Sequence, residues 1–319
     1  MSAYPNTCLE PGIYGLWDSH GQPGLTDNEI QAAISWLKTH GPFPRCSESL
    51  LKMGHLDMYT CLVPSFLPNL RSLTLNPICV RSKLLVPNVM RAGQEKAQSS
   101  STACCTKLRK AQFGIGIGNR VQVDLLPRFP DLYSLLYYPL LEELTIELPS
   151  MRGFHSPKPE ERPSLTHLTS LELPYCEATP NALEEVLSVK PPLRRLRYEF
   201  STAHSTGYKG SDIYDLNRLS HALGYIRESL ESLALAIDFG YNIFNTMVSE
   251  VPITGIFAPI SNFAKLSDVK IPFVVLSGGE YMPYPCPRLS SILPAGVRNL
   301  CLVNDMVRDF APLNPVERT

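Results

Sequence analysis

The sequence lacks the marks of secretion, membrane insertion and the common catalytic chemistries. No C-x-x-C pair and no N-x-[ST] sequon occurs in its 319 residues, and nine cysteines lie scattered at 8, 46, 61, 79, 104, 105, 176, 286 and 301. An odd, unpatterned set suits buried thiols in a reducing compartment better than a disulfide framework. No apolar run approaches the ~18 residues of a membrane span, and the opening "MSAYPNTCLEPG" has neither the basic nor the apolar region of a secretory leader. These observations point to a cytoplasmic or nuclear protein without membrane association. An excess of charge of one sign is also missing: 29 Lys and Arg against 30 Asp and Glu leave a net charge of −1. That balance argues against a nucleic-acid partner.

Motifs for hydrolysis, phosphate binding and metal binding are equally scarce. H-E-x-x-H, G-x-S-x-G, a Walker loop and an EF-hand loop are all absent. "FGIGIGNRV" carries Gly114, Gly116 and Gly118, but Val121, Val123 and Leu125 follow at period two, where a dinucleotide loop would open a helix. Those glycines are expected to permit a tight bend. Cys104-Cys105 has no Cys or His at ligand spacing nearby, and His155, His167 and His204 have no sequence-near acid and nucleophile. No catalytic, cofactor-binding or metal-ligating residue is therefore expected.

What the chain does have is a folded composition, 44% apolar and 18% charged, with 29 prolines set mostly between short apolar blocks. Thr26 and Glu29 stand at capping-box spacing, with Ile30, Ala33, Ile34 and Leu37 on one helical face before Gly41-Pro42. A second helix is expected over about 47–58. Beyond these, the pattern L-x-x-L-x-L recurs. Its central apolar residue falls at Leu73, Ala111, Leu144, Leu171, Leu196, Leu233, Val269 and Leu300, and the Ala111 copy is the weakest match. Repetition at 25–38 residues signals stacked supersecondary units.

Some linkers read as helices. Thr179-Pro180 suits a helix start, with Leu183, Val186 and Leu187 on the apolar face, Glu184 and Glu185 pointing away, and Lys190-Pro191-Pro192 as a stop. Leu216, Leu219, Leu223, Ile226 and Leu230 define another helix, capped by Asp212 or Asp215. Shorter, proline-rich linkers such as "LPRFPDLYSLLYYP" and "RLSSILP" are expected to hold single turns or 3-10 segments.

Eight strand–helix units also suit a (β/α)8 barrel, with Glu147, Glu199 or Asp238 as catalytic candidates at strand ends. Barrel strands, buried on both faces, should read as continuous apolar runs. Here "EELTIEL" alternates, with Leu144, Ile146 and Leu148 against Glu143, Thr145 and Glu147. Charges at such positions inside a barrel would carry a large desolvation cost. The alternation favours an α/β open solenoid, a horseshoe with a parallel concave sheet and irregular helices or 3-10 turns on the convex side.

"FLPNLRSLTL", "PLLEELTIELPS", "LTHLTSLELPYCEATPNALEEVL" and "LPAGVRNLCLVND" resemble leucine-rich repeats, and more narrowly the irregular repeats of fungal F-box-type leucine-rich repeat proteins. The resemblance covers about 50–305. It implies a substrate-receptor-like subunit whose F-box docks on the adaptor of a cullin-based ubiquitin ligase. "LTDNEIQAAISWL" departs from an F-box start: it lacks the proline, has an extra residue before Glu29 and has no second half. A capping helix, or a degenerate F-box remnant, is the expectation for 1–60. Irregular repeats follow over 61–305, then a tail over 306–319.

In each strand the residues between the leucines face outward. The candidate partner-binding set on the concave face is Glu143, Thr145, Glu147, Ser170, Glu172, Arg195, Arg197 and Glu199. Its acidic and basic stripes suit a protein-docking surface, or simply charge pairing between neighbouring strands. The functional expectation is a non-catalytic module that binds another protein. A barrel enzyme and a truncated family member without a partner are the alternatives.

Overall fold

A computed structural model of the chain describes residues 107–113, 138–146, 165–176, 179–201, 214–238, 253–277 and 288–303, with Leu136 and parts of 26–35 and 67–75. Within them the strands are β1 (Ser72–Leu75), β2 (Lys110–Phe113), β3 (Glu143–Ile146), β4 (Ser170–Cys176) and β5 (Arg195–Ser201). After these come β6 (Tyr214–Asp215), β7 (Ser232–Asp238), β8 (Ile253–Thr254), β9 (Asp268–Pro272) and β10 (Asn299–Val303). The helices are α1 (Pro180–Leu187), α2 (Leu216–Gly224), α3 (Phe273–Ser277) and α4 (Leu289–Ile292). Eight strands form one sheet in chain order, β1-β2-β3-β4-β5-β7-β9-β10, and β6 and β8 form a separate pair. Every pairing is parallel, and among the described strands none joins β10 back to β1. The architecture is α/β, built on a parallel sheet with two edges.

The register follows the repeat. Leu73 pairs with Ala111, Ala111 with Leu144, Leu144 with Leu171 and Leu171 with Leu196. Leu196 pairs with Leu233, Leu233 with Val269 and Val269 with Leu300. The weakest motif, at Ala111, is thus a full member of the array. A second apolar row lies two residues further on, through Phe113, Ile146, Leu173, Tyr198, Leu235, Ile271 and Leu302. From Ala111 to Val269 and from Phe113 to Ile271, both rows are buried. Full burial of such side chains stabilises by roughly 1.5–3 kcal/mol each.

Five of the described units enter the sheet through the same turn. Leu70, Leu141, Leu168, Leu266 and Val297 each donate their N–H to the carbonyl three residues earlier, closing a tight turn. The next residue's carbonyl then accepts two N–H bonds from the following unit. The Arg109 carbonyl, for example, takes Glu142 at 2.7 Å and Glu143 at 2.9 Å, and the Thr169 carbonyl takes Arg194 at 2.8 Å and Arg195 at 3.0 Å. The pattern repeats from the Arg71 carbonyl to that of Ser267.

The helices share one core with the apolar face of the sheet. Leu183, Val186 and Leu187 of α1, and Leu216, Leu219 and Leu223 of α2, are buried with the strand rows. Helix α2 stops at Gly224, and Ile226 and Leu230 stay buried through the turn that follows. Of the two expected caps, Asp215 is the one used: its carboxylate accepts the Asn217 N–H at 2.8 Å. Asp212 lies outside the described residues.

Thr179 does precede α1, but its hydroxyl makes no capping bond; its carbonyl accepts Ala182 N–H at 3.0 Å instead. Glu184 and Glu185 do not point away. Glu184 accepts from Arg218 at 3.2 Å and meets His221 at 2.8 Å, both on α2. Glu185 is half-buried. Neighbouring helices pack side by side, and a sequence read one helix at a time cannot show which flank a neighbour will cover.

Two irregularities have local causes. Pro174 has no N–H, and between Leu173 and Cys176 the register against β5 shifts by one residue, a bulge. Lys190 adopts a left-handed conformation, φ 54°, and its N–H returns to the Leu187 carbonyl at 2.9 Å, closing the end of α1.

At the N-terminus, Thr26 and Glu29 form the expected capping box. Glu29 Oε2 accepts the Thr26 N–H at 2.8 Å, and the Thr26 hydroxyl accepts Glu29 N–H at 3.4 Å. The Thr26 backbone bond holds the Glu29 carboxyl below its usual range. Ile34 is buried as its face requires, whereas Ile30, Ala33, Leu37, the helix expected over 47–58 and the tail over 306–319 lie outside the described residues. No described helix is long and apolar enough to cross a membrane.

A left-handed residue with a Cβ costs roughly 1–2 kcal/mol, so Lys190→Gly should stabilise the chain by about 1 kcal/mol, read as a higher midpoint in urea unfolding. Gly255, at φ 80°, is the opposite case: a Cβ there would collide with the Asn217 side chain. Gly255→Ala should lose roughly 2 kcal/mol, read in the same experiment.

Candidate functional site

The outward residues of the sheet form two unbroken rows because the register is conserved across all eight strands. The first runs Ser72, Lys110, Glu143, Ser170, Arg195, Ser232, Asp268, Asn299. The second runs Thr74, Gln112, Thr145, Glu172, Arg197, Ala234, Lys270, Cys301. At ordinary strand spacing each row is roughly 34 Å long.

Charges within the rows pair with one another. Glu143 holds Lys110 at 2.8 Å on one side and reaches Arg195 at 3.6 Å on the other. The Glu143–Arg195 contact passes over β4, where the intervening residue is Ser170, only 4% exposed. A small hydroxyl at that point leaves room for the two long side chains to meet. Across the second row Arg197 lies 4.0 Å from Glu172, and its Nε donates to Glu199 at 2.7 Å within β5. Glu199 is 6% exposed, so its carboxylate depends on that guanidinium.

The eight predicted residues therefore separate by role. Glu143, Thr145, Glu172 and Arg195 lie together on the accessible face, with Arg195 the most exposed of them. Ser170, in the first row, and Glu199, two residues beyond Arg197 on β5, are buried, and Arg197 is occupied by Glu199. Glu147 lies outside the described residues.

A third row went unread in the sequence, at the residue after the first leucine of each motif. It comprises Arg71, Arg109, Glu142, Thr169, Arg194, Glu231, Ser267 and Arg298, and the carbonyls of all but Arg298 carry the interunit ladder. Four arginines stand there, with Arg109 paired to Glu142 at 2.9 Å and Arg194 to Glu231 at 3.8 Å. The motif L-x-x-L has two intervening residues, and strand alternation predicts an outward side chain for the second of them alone. The arginines in the first position were the available signal.

At the β9–β10 margin Asp268 accepts from Ser267 and from Asn299 Nδ2, and these two bonds, the Ser267 hydroxyl first, hold its carboxyl below the usual range. Tyr198 and Tyr214 stack beneath the other face, and burial raises the Tyr198 phenol well above its ordinary range. Tyr198 is core, as expected of its row. Among the described residues no group of three or more His, Cys, Asp and Glu side chains could hold a metal ion.

His167 is exposed and Cys176 buried, while Gly114, Gly116, Gly118, Cys104, Cys105, His155 and His204 lie outside the described residues. Asp238, a barrel-type catalytic candidate, pairs through its backbone with Ser201 at the end of β7. No family model matches the chain, nor does any curated protein or solved structure.

Arg197→Met would leave the buried Glu199 side chain without its guanidinium partner, a loss of roughly 3 kcal/mol; adding Glu199→Gln should restore most of it. Glu143→Gln, on an exposed pair, should cost under about 1 kcal/mol. Urea unfolding of the variants checks both. For Asp268, a depressed folded pKa means a contribution present above the unfolded value near ~4 and lost as pH falls through the folded value. Asp268→Asn should accordingly flatten the loss of stability in acid, measured by thermal melts from neutral pH to pH ~2.

Proposed function

We infer that this chain is a leucine-rich-repeat solenoid whose polar sheet face docks another protein. The observation that carries the reading is the register: eight motif centres, separated by unequal lengths of chain, sit side by side in one parallel sheet. Stacked units of this kind offer extended surfaces rather than deep pockets. The open strand order favours a solenoid over a barrel, and a curved arrangement would put the three polar rows on its concave side.

Two rows alone form a strip too narrow for a standard interface, which needs about 800 Å² from each partner. The arginine-bearing margin row supplies the additional breadth. A partner fitting this face would carry both signs of charge, since Lys110, Glu143 and Arg195 alternate along the row. Arginine is enriched at binding hot spots, and Arg194 and Arg195 are among the most exposed charges on the face.

The resemblance to F-box-type repeat proteins extends the inference to a substrate-receptor-like role in ubiquitin ligation. Its recruiting element would lie within 1–60.

Affinity capture with the wild type, with Arg194→Glu/Arg195→Glu and with Glu143→Lys/Glu172→Lys tests the docking face. At least one partner should be lost from each variant while thermal stability changes little. An unchanged partner set in both would remove this face from recognition. Solution scattering should give an elongated, curved particle; a compact globule would return the barrel. Co-purification of the ligase adaptor tests the recruiting role, and its failure leaves the docking face standing.

A further inference from the structure

Among the described strands the last, β10, breaks the rule that the others obey. In β10, Leu300 and Leu302 occupy the two core rows, next to Val269 and Ile271, which are 3% and 0% exposed. Leu300 and Leu302 are themselves 42% and 43% exposed. Phe273 and Leu289, in the same terminal units, are exposed as well. The first edge differs, for in β1 the core residue Leu73 is 9% exposed and Ser72 and Thr74 are polar.

Sheet edges are ordinarily guarded by charge, proline or a bulge, since their unpaired backbone groups invite another strand. The sequence of β10, Asn299-Leu300-Cys301-Leu302-Val303, has none of these. It is also self-complementary about its centre, with leucine on either side of Cys301. The hydrogen-bond phase agrees with this symmetry. Asn299 donates its N–H to the Ser267 carbonyl at 3.0 Å, and backbone groups alternate sides along a strand. The polar backbone groups of Cys301 and Val303 therefore face β9, while those of Leu300 and Leu302 face the edge that pairs with no described strand.

We propose that two copies of this chain associate through β10, antiparallel about a two-fold axis at Cys301. Leu300 then stands opposite Leu302 of the second copy in a hydrogen-bonded pair, and the reciprocal pair completes about four backbone bonds. Cys301 meets its own equivalent in the non-hydrogen-bonded position, where side chains approach most closely. All four leucines lie on the shared core face, so the apolar surface left open in one copy is covered by the other, and both helical layers fall on the same side. The closed two-fold limits assembly to a dimer. The proposal does not depend on the docking function of the polar face, which stays accessible on the opposite side of the leucines.

Sedimentation equilibrium of the full chain should show a species of twice its 35.5 kDa mass, with a dissociation constant on the order of micromolar for so small an interface. Leu302→Lys, on an exposed position, should weaken it at least ~100-fold without altering the thermal midpoint of the monomer. Mild oxidation with diamide, which takes two electrons and two protons from a thiol pair, should give a cross-linked dimer that Cys301→Ser abolishes; the non-covalent dimer survives that change. Hydrogen exchange at the Leu300 and Leu302 amides should slow as concentration rises. A monomer at every concentration, or oligomers that grow beyond two through β1-to-β10 stacking, would overturn the proposal. So would concentration-independent protection of those amides, which would assign the edge to another segment of the same chain.

Discussion

One contact repeats through this molecule and fixes most of the rest. A carbonyl at the entry of each unit accepts two N–H groups from the entry of the next, from Arg71 through Ser267. A single backbone bond contributes only about 1 kcal/mol net. Its repetition matters more than its strength, because it holds every strand parallel and in the same phase. Given that phase, the side chains have no choice of face. Residues at one motif position line the core, and their neighbours line the polar surface.

The same constraint explains the tolerance of the array for poor motifs. Ala111 supplies little apolar area in its row, yet Leu108 and Phe113 on either side of it are fully buried and keep β2 in place. It explains the cost of the last unit as well. A parallel stack buries an inner unit against two neighbours, whereas among the described strands β10 pairs with β9 alone. The leucines of β10 obey the motif and remain exposed.

Across the polar face, energetics divide residues that look alike in sequence. Arg195 and Arg197 are two apart on one strand and both pair with acids. Arg195 meets Glu143 in solvent, where such pairs contribute little. Arg197 compensates a carboxylate withdrawn from water, where removal of one partner is costly. The first is available to a partner and the second is committed to the fold. Ser170 and Glu199, outward by alternation, are covered by the residues around them.

The sequence by itself determined the eight motif centres, the alternation of faces, the capping box at Thr26 and the two helices with their apolar sides. Each of these depends on residues within a few positions of one another, and local periodicity records it. Only the tertiary structure decided that Asp215 caps α2, that Glu184 turns toward α2 and that Pro174 is absorbed as a bulge. It alone also decided that Glu199 is buried and that β10, the last of the described strands, leaves its leucines exposed. Those outcomes depend on which unit lies alongside, and contacts between units 25 to 38 residues apart leave no periodic trace in the chain. The arginine row lay between. Its spacing was present at every motif, but its outward role follows from the interunit ladder that presents it.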